Sequence, residues 1–414
     1  MKKKLTLLLC LLLVACMATG CAYLPFAGYS NMLNVGSSTT ATTDGDTVTL
    51  SKAEYERYQK FDKLITMIDM AEVNFYQDVD EDAMLEGAAA GLLSALGDPY
   101  TFYYTPEAYA ELWEDDEGEY AGVGIQITAS YLTGMCTVSR VFANGPAQAA
   151  GVHKGDILYR VGEDMFVDAY NLTDAVNIMR GTPGTDVDVT FLRNGEEITF
   201  TLTRQQVQIN RIDSMMLTDE VGYIYLYEFA GDCGEKFTSA LKTLTAQGAK
   251  GIIIDLRDNP GGWVDDAKTI GDLFLDKGTL CYLEYKDGQR EYYNTTDGKT
   301  DVPLVVLMNE NSASASEILA GALQDRANAS IVGVQSYGKG IVQAVVPLST
   351  DNSGMQMTIA QYYTPNGNAV HKIGITPNVT IELPEDDNGM YEFGDLTDPQ
   401  LAKALEIMQQ KMAK

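Results

Sequence analysis

Hydrophobic and polar positions follow different periods in successive parts of the chain. From Ser51 to Ile68, Tyr, Phe, Leu and Ile side chains recur at helical spacing, and a second helix is predicted over Asp82–Leu96. Residues 114–205 have the short apolar runs and frequent turns typical of a β-rich region. Residues 206–385 alternate apolar strands with helices, which predicts an α/β layered core, and Asp398–Met412 is predicted to be a closing helix.

The first 21 residues have the pattern of a secretory signal, with three lysines followed by the apolar run Leu5–Ala15. Cys16 and Cys21 each end a stretch that resembles a bacterial lipoprotein cleavage box. We choose Cys21 for lipidation, because it gives the usual signal length, although Cys16 has the better residue at position −3. An uncleaved anchor is the alternative, with a run shorter than the ~20 residues of a membrane span. Residues 22–50, rich in Ser, Thr, Gly and Asn, are predicted to be a flexible tether.

The composition excludes some classes of function. A chain of 414 residues can form two or three domains, and its net charge of −29 argues against nucleic-acid or anionic-membrane binding by the folded part. It has no P-loop, no HExxH motif and no plausible His/Cys ligand cluster, so we expect no cofactor and no metal. Cys136, Cys233 and Cys281 are expected to be buried thiols, with one disulfide among them left open.

The candidate chemistry is concentrated in residues 311–343. Ser312, Ser314 and Ser316 precede a helical run, and Lys339 lies between two glycines. A serine at a loop-to-helix junction lies near backbone N–H groups and the positive end of the helix dipole, which suits a nucleophile. Ser314-x-x-Glu317 is also a capping box, and capping alone would explain both residues.

Three motifs in order identify a family. The motifs are Asn259-Pro-Gly-Gly262, Ser312-Ala-Ser-Ala-Ser-Glu-Ile318 and Tyr337-Gly-Lys-Gly340 with Gln343. Together they resemble the motifs of the carboxyl-terminal processing (tail-specific) serine peptidases. The resemblance runs from about residue 60 to the end of the chain, and it implies a core similar to the crotonase and Clp peptidase superfold. One departure is Asn311, where family members usually have glycine.

The resemblance implies the role of each site residue. The middle serine, Ser314, would be the nucleophile, Lys339 the base, and Gln343 the residue that orients the amine. The N–H of Ala315 and an N–H of Gly261 or Gly262 would form the oxyanion hole. Asp255, Arg257 and Asp258 are expected to brace the glycine turn through ion pairs.

A lysine base must be neutral when the substrate arrives. A free lysine has a pKa of ~10.4, so fewer than about one in a thousand is deprotonated at pH 7, and burial is needed to disfavour the ammonium form. We expect Tyr337, Ile341 and Val342 to supply apolar surroundings. The chain has two histidines, His153 and His371, and neither is expected to be catalytic.

Residues 114–205 also resemble a PDZ domain. Gly122-Val-Gly-Ile125 is followed by Gly145-Pro-Ala and by Gly155-Asp-Ile-Leu158, the order found in that family. The resemblance implies that the loop Gly122, Val123, Gly124 and Ile125 offers N–H groups to a terminal carboxylate, and that the adjoining strand pairs with the peptide. A pocket formed by Ile125, Ile127 and helix residues such as Val176 would take the last apolar side chain.

Together these features predict a secreted, membrane-tethered serine endopeptidase that captures the C-termini of protein substrates. The predicted order is a signal (1–21), tether (22–50), helical region (51–113), PDZ domain (114–205), peptidase core (206–385) and C-terminal tail and helix (386–414). Localisation in the bacterial cell envelope follows from the signal, and homo-oligomerisation is left open. One alternative is a PDZ adaptor without turnover. A second is a Ser-His-Asp protease, which would need the opposite domain order. A third is a crotonase-like acyl-CoA enzyme, which would need neither a PDZ domain nor a signal.

Overall fold

The computed structural model describes residues 22–24, 42–44, 47–129, 133–348, 351–384 and 391–413. Cys16 and Cys21 lie outside these residues, and so does the whole predicted signal. No helix in the described ranges is both long and apolar enough to cross a bilayer. The chain divides into two compact units. The larger includes Tyr109–Gln343 and Thr358–Lys414, and the smaller includes the N-terminal helices and Ala344–Met357.

The stretch predicted to be a tether contains three short strands among its described residues. They are β1 (Ala22–Leu24), β2 (Thr42–Asp44) and β3 (Thr47–Thr49). Strands β2 and β3 pair antiparallel. Thr and Val predominate in β2 and β3, and their β-branched side chains favour extended backbone; the flexible tether stays a prediction.

The predicted first helix is two helices joined by a 3₁₀ turn. The elements are α1 (Lys52–Tyr58), the turn Gln59–Phe61, α2 (Asp62–Asn74), α3 (Glu81–Ser94) and β4 (Phe102–Tyr104). A capping box of Ser51 and Glu54 begins α1, and the Asp80 side chain caps α3. No residue of these three helices is buried, so the predicted apolar face of α1 and α2 exists but is exposed.

The next region contains an antiparallel sheet, a separate two-stranded pair and three helices. Its elements are α4 (Pro106–Glu117), β5 (Glu119–Gly122), β6 (Ile125–Ala129), β7 (Cys136–Val141), α5 (Pro146–Ala150), β8 (Ile157–Val161), β9 (Met165–Phe166), α6 (Leu172–Met179), β10 (Asp186–Arg193), β11 (Glu196–Thr203) and β12 (Gln205–Gln208). The strand order is β11-β10-β8-β7-β6, so β6 lies at an edge among the described residues, and the separate pair is β5 with β12. Val138, Val189 and Phe191 are in its core.

The remaining elements form a layered α/β core. They are β13 (Ile212–Met216), β14 (Val221–Leu226), α7 (Cys233–Ala246), β15 (Gly251–Asp255), α8 (Val264–Asp272), β16 (Gly278–Tyr285), β17 (Arg290–Thr295), β18 (Leu304–Met308), α9 (Ala315–Arg326), β19 (Ser330–Gly333), β20 (Ile341–Pro347), β21 (Gly354–Tyr363), β22 (Val379–Thr380) and α10 (Pro399–Met412). One sheet has the order β13-β14-β15-β18-β19-β22, and it is parallel from β14 to β22. Strands β15 and β18 are entirely buried, which explains their unbroken apolar sequences.

A buried ion-pair cluster anchors the end of β15 to α10. Arg257 contacts Asp255 and Asp398, each at 2.6 Å, and all three side chains are largely buried. Asp398 also accepts the backbone N–H groups of Gln400 and Leu401 at the start of α10. The ion pair predicted between Asp255 and Arg257 is present and extends to Asp398 on α10, while its bracing of the glycine turn stays a prediction.

The three cysteines in the described residues, Cys136, Cys233 and Cys281, are free and buried. Burial raises the pKa of the Cys136 thiol to about 11. The prediction of buried thiols is therefore confirmed, and no disulfide joins them.

Candidate active site

The pairing of β15 with β18 brings two loops together. The strands run parallel, with Asp255 opposite Leu307, so the loops that follow them leave the sheet at the same edge. The N–H of Ala313 donates to the carbonyl of Asn259 at 3.1 Å. Asn259-Pro-Gly-Gly262 and the serine loop therefore lie against each other although more than 50 residues separate them.

Asp258 joins the same two loops through its side chain. Its Oδ1 accepts from the Nδ2 groups of Asn309 and Asn311, each at 2.8 Å. Asn311 is the position where the sequence departs from the family, and here its amide has a defined partner. Asp258 was predicted to brace the glycine turn by an ion pair; it does so through hydrogen bonds to two asparagines.

The hydroxyls of the three serines have different environments. Ser312 Oγ donates to the carbonyl of Leu256 at 2.7 Å, and Ser316 Oγ donates to the carbonyl of Asn259 at 3.0 Å. Ser314 Oγ is buried and has no hydrogen-bond partner. The two outer serines thus bind the loops together, and the middle one is available for chemistry.

Ser314 also has an unusual backbone. Its φ is +58° and its ψ is −116°, directly before α9; Ser314 and Glu317 occupy the two capping-box positions, but Ser314 Oγ has no hydrogen-bond partner. A non-glycine residue in such a region costs on the order of 1–3 kcal/mol, and such residues cluster at functional sites. The capping interpretation therefore does not account for the hydroxyl of Ser314.

Only glycine fits at positions 261 and 262. Gly261 has a φ of +106°, and a Cβ there would lie 2.7 Å from Ser314 Cβ and 2.8 Å from the nitrogen of Ala315. A Cβ on Gly262 would overlap the carbonyl oxygen of Phe229. Phe229 fixes this turn from both sides, since its N–H donates to Gly261 O and its carbonyl accepts from Trp263, each at 2.8 Å. The glycine turn therefore lies in close contact with Ser314 and with the N–H of Ala315, the first residue of α9.

The chain's two tryptophans stack beside this turn. Trp263 directly follows Gly262, and its ring lies parallel to that of Trp113 of α4, with centroids 5.8 Å apart and an interplanar angle of 13°. No pattern in the sequence pointed to this pair.

Lys339 lies in a tight turn before β20. Gly338 has a φ of +85°, and a Cβ on Gly340 would overlap the backbone of His371. The Lys339 side chain is 2% exposed, and Ile341 and Val342 are buried as predicted. Tyr337, also predicted to shield the amine, is 56% exposed, so that expectation is wrong. The N–H of Tyr337 donates to Ser312 O at 3.0 Å, so its backbone contacts the serine loop.

The Glu317 carboxylate connects the serine loop to the lysine turn. Its Oε2 accepts from the N–H groups of Ser314 (2.9 Å) and Lys339 (3.0 Å) and from the Tyr362 hydroxyl (3.1 Å). Its Oε1 accepts from Ser336 Oγ at 2.6 Å and Gly338 N–H at 2.7 Å. Burial raises the pKa of Glu317, and these hydrogen bonds oppose the increase.

In the sequence, Glu317 is recognisable only as a capping residue, and no motif singles out Ser336 or Tyr362. Burial, together with the negative charge of Glu317 beside it, raises the pKa of the Tyr362 phenol well above its usual value. Nothing in the sequence near Tyr362 indicated that β21 contributes to the site.

Gln343 lies on β20, four residues after the lysine. Its side chain is fully buried, and its Nε2 donates to Thr358 Oγ1 at 3.0 Å. Its Oε1 is buried with no hydrogen-bond partner. A buried amide oxygen without a donor is costly, which makes this atom a candidate acceptor within the site.

The predicted peptide-binding loop is held in place by its carbonyl groups. Val123 O accepts from Ala147 N–H at 2.9 Å, and Gly124 O accepts from Phe142 N–H at 3.0 Å. Gly122 ends β5, and Gly124 has a φ of +83°. Ile125 and Ile127 of β6 and Val176 of α6 are partly buried and pack against the same core.

One arginine joins this sheet to the α/β core. The Arg140 guanidinium of β7 lies 3.3 Å from the ring centroid of Tyr227, and it donates to the carbonyl of Asn210. Asp213 lies 4.0 Å from the same group. No sequence motif predicted the contact between Arg140 and Tyr227.

Comparison with known proteins agrees with the geometry. The model for peptidase family S41 matches residues 220–381, and the model for the PDZ domain matches residues 121–203. The model for the N-terminal domain of the activating protease CtpB matches residues 17–108. The carboxyl-terminal-processing protease of Synechocystis is 36% identical over 77% of this chain and 75% of its own length. The processing protease CtpA of Bacillus subtilis is 32% identical over 95% of this chain and 82% of its own.

A solved structure has the same architecture. The photosystem II D1 C-terminal processing protease superposes with a TM-score of 0.55 at 29% identity, over 83% of this chain and 94% of its own. The predicted organisation of N-terminal helices, PDZ domain and α/β peptidase core is therefore confirmed. The chain belongs to the carboxyl-terminal processing peptidases of family S41, hydrolases that cut peptide bonds, and it carries a PDZ domain before its catalytic core.

Proposed function

We propose that the chain is a membrane-tethered serine endopeptidase of the bacterial cell envelope in which Ser314 is the nucleophile and Lys339 the base. The observation that carries this proposal is the buried Ser314 hydroxyl, which has no partner while the hydroxyls of Ser312 and Ser316 are both bonded to carbonyls. A hydroxyl bound to a carbonyl would have to leave it before reacting.

The reaction begins with attack of Ser314 Oγ on the peptide carbonyl while Lys339 Nζ takes its proton. The tetrahedral intermediate collapses to an ester on Ser314, and Lys339 returns the proton to the leaving amine. A water molecule then attacks the ester with Lys339 as base again, which releases the acid and restores the serine. The near-complete burial of Lys339 supports this role, because water is excluded from its surroundings.

The oxyanion is stabilised by backbone N–H groups. The N–H of Ala315 at the start of α9 is one donor, in the first turn, where helix N–H groups lack intrahelical partners. The N–H of Gly261 already donates to Asn259 Oδ1 at 2.9 Å, which favours Gly262 as the second donor. Each such donor is worth about 10²–10³ in rate.

Gln343 orients the lysine amine. Its buried Oε1 requires a donor, and Nζ of a neutral or charged lysine can supply one without a change in the net charge of the site. The donation from Nε2 to Thr358 leaves this oxygen as the available end of the amide.

The PDZ domain supplies substrate selection. The edge position of β6 supports capture of an extended peptide by strand addition, with its terminal carboxylate at the loop Gly122, Val123, Gly124 and Ile125. Ile127 projects on the partly buried face of β6, and Thr128 on the exposed one. Protein substrates with an apolar C-terminal residue fit this arrangement.

Lipidation at Cys21 supplies the tether. The support is the sequence alone: the basic start, the short apolar run and the small residues before the cysteine. A lipid on this cysteine would keep the peptidase at the outer face of the membrane.

Replacing either member of the dyad will abolish turnover. Ser314→Ala and Lys339→Ala should each lower kcat by about 10³-fold or more on an unstructured protein with an apolar C-terminus, because neither partner reacts alone. His371→Ala, which alters a residue adjacent to the lysine turn, is the matched control and should stay within about threefold. Substantial turnover by Lys339→Ala that is lost only in His371→Ala would contradict the assignment.

Gly261→Ala will inactivate the enzyme, because the new methyl group displaces Ser314 or the N–H of Ala315. We expect a loss of kcat/KM of about 10²-fold or more. Gly288→Ala is the control, since Gly288 also has a positive φ, of +80°, but a Cβ there meets no atom within 4 Å. Equal activities of the two variants would rule out a role for the glycine turn.

Peptide capture is measured in the Ser314→Ala background, where the peptide is not cut. Ile127→Asp should weaken binding of a fluorescent peptide with a free apolar C-terminus by about 10–100-fold, because it places a charge in the pocket. Thr128→Asp, on the opposite face of β6, should leave the anisotropy titration unchanged. A peptide that binds equally well with an amidated C-terminus would argue against carboxylate recognition.

The lipidation site is tested by incorporation of an alkyne-bearing fatty acid in a bacterial host. The label should be lost in Cys21→Ser and retained in Cys16→Ser. The reverse pattern would move the site to Cys16, and a label retained in both single variants and in the double variant would refute N-terminal cysteine lipidation.

A further inference from the structure

We propose that Glu317 is a positioning residue that keeps the nucleophile and the base of this peptidase in a fixed position relative to each other. The inference rests on the proposed Ser314–Lys339 pair and adds a residue that touches neither reacting atom in the proposed mechanism. It concerns the backbone of both residues, since Glu317 binds their N–H groups and not their side-chain heads.

A single oxygen atom connects the two catalytic residues. Oε2 of Glu317 accepts from Ser314 N–H at 2.9 Å and from Lys339 N–H at 3.0 Å, although the lysine is 22 residues away along the chain. A movement of either turn relative to the other therefore breaks at least one of these bonds. The hydrogen bonds of this carboxylate therefore set the distance between the serine loop and the lysine turn.

Capping of α9 would not require this arrangement. A cap needs only the N–H of Ser314, whereas three further donors, from Ser336, Gly338 and Lys339, belong to the lysine turn. The Ser336 hydroxyl is itself fixed, because its Oγ accepts the N–H of Ile375 at 2.6 Å. The carboxylate thus serves the lysine turn more than the helix.

The fifth donor comes from a different element. The Tyr362 hydroxyl of β21 lies 3.1 Å from Oε2 and 3.2 Å from the carbonyl oxygen of Ser314. Five donors converge on one carboxylate, and an ionised carboxylate is the side chain that accepts from all of them. An amide of the same shape would place its NH₂ group against N–H and O–H donors.

The central variant is therefore Glu317→Gln. We expect kcat to fall by about 10²-fold with KM within about threefold, because the dyad is displaced while peptide capture is untouched. The rate of modification by a fluorophosphonate, which reads the serine directly, should fall in parallel. Asp325→Asn is the matched control. Asp325 lies on the same helix and its carboxylate accepts from Thr364 Oγ1 and Asn366 N–H, away from both turns.

A double-mutant cycle separates positioning from general stability. If Glu317 acts through the dyad, Glu317→Gln will not slow the residual rate of Lys339→Ala any further, whereas independent effects multiply. A folded Glu317→Gln enzyme with kcat within threefold of the parent would overturn the inference. So would a loss of kcat that merely follows the unfolded fraction in a thermal melt.

Two milder variants keep the test decisive if Glu317→Gln does not fold. Ser336→Ala and Tyr362→Phe each remove one donor and should lower kcat by about 3–30-fold, with Asp325→Asn unchanged. Full activity in both would refute the inference. Failure of the proposed function looks different, since Lys339→Ala would then retain turnover whatever the Glu317 variants do.

Discussion

The hydrogen bonds of one buried carboxylate hold together the turns that form the candidate active site. Strand pairing between β15 and β18 brings the glycine turn to the serine loop, but it does not place the lysine turn, which comes from the segment before β20. Glu317 makes that connection with hydrogen bonds on both of its oxygens. It also helps to explain how Ser314 is held at a positive φ, since its N–H and its carbonyl both have fixed partners.

Much of the fold could be predicted from the sequence, because apolar runs, turn residues and helical periodicity are local features of the chain. The apolar run of β15 is long and bounded by turn residues, and the structure shows it buried throughout. The helical period after Ser51 correctly indicated helices but not the 3₁₀ turn at Gln59–Phe61, which interrupts the period by only three residues. Boundaries elsewhere differ by a few residues, as at α3, predicted over Asp82–Leu96 and found over Glu81–Ser94.

The candidate site was predictable only where motif and geometry coincide. Ser314, Lys339 and the two glycines were predicted from the resemblance of their motifs to a known family, whereas the contacts of Ser336 and Tyr362 are long-range and leave no periodic signal. Tyr337 shows the opposite error: its position beside the lysine suggested shielding, but its ring points to solvent. Asn311 appeared as a departure from the family, and the structure gives its amide a partner in Asp258.

The stacked tryptophans give the enzyme a built-in optical reporter. The whole chain has two tryptophans, and they form one close pair, with Trp263 directly after the glycine turn. Two parallel indoles at this separation couple their electronic transitions, so near-ultraviolet circular dichroism and emission will follow the distance between them. Any rearrangement of the turn on substrate binding can therefore be observed in the unlabelled enzyme, without an introduced dye.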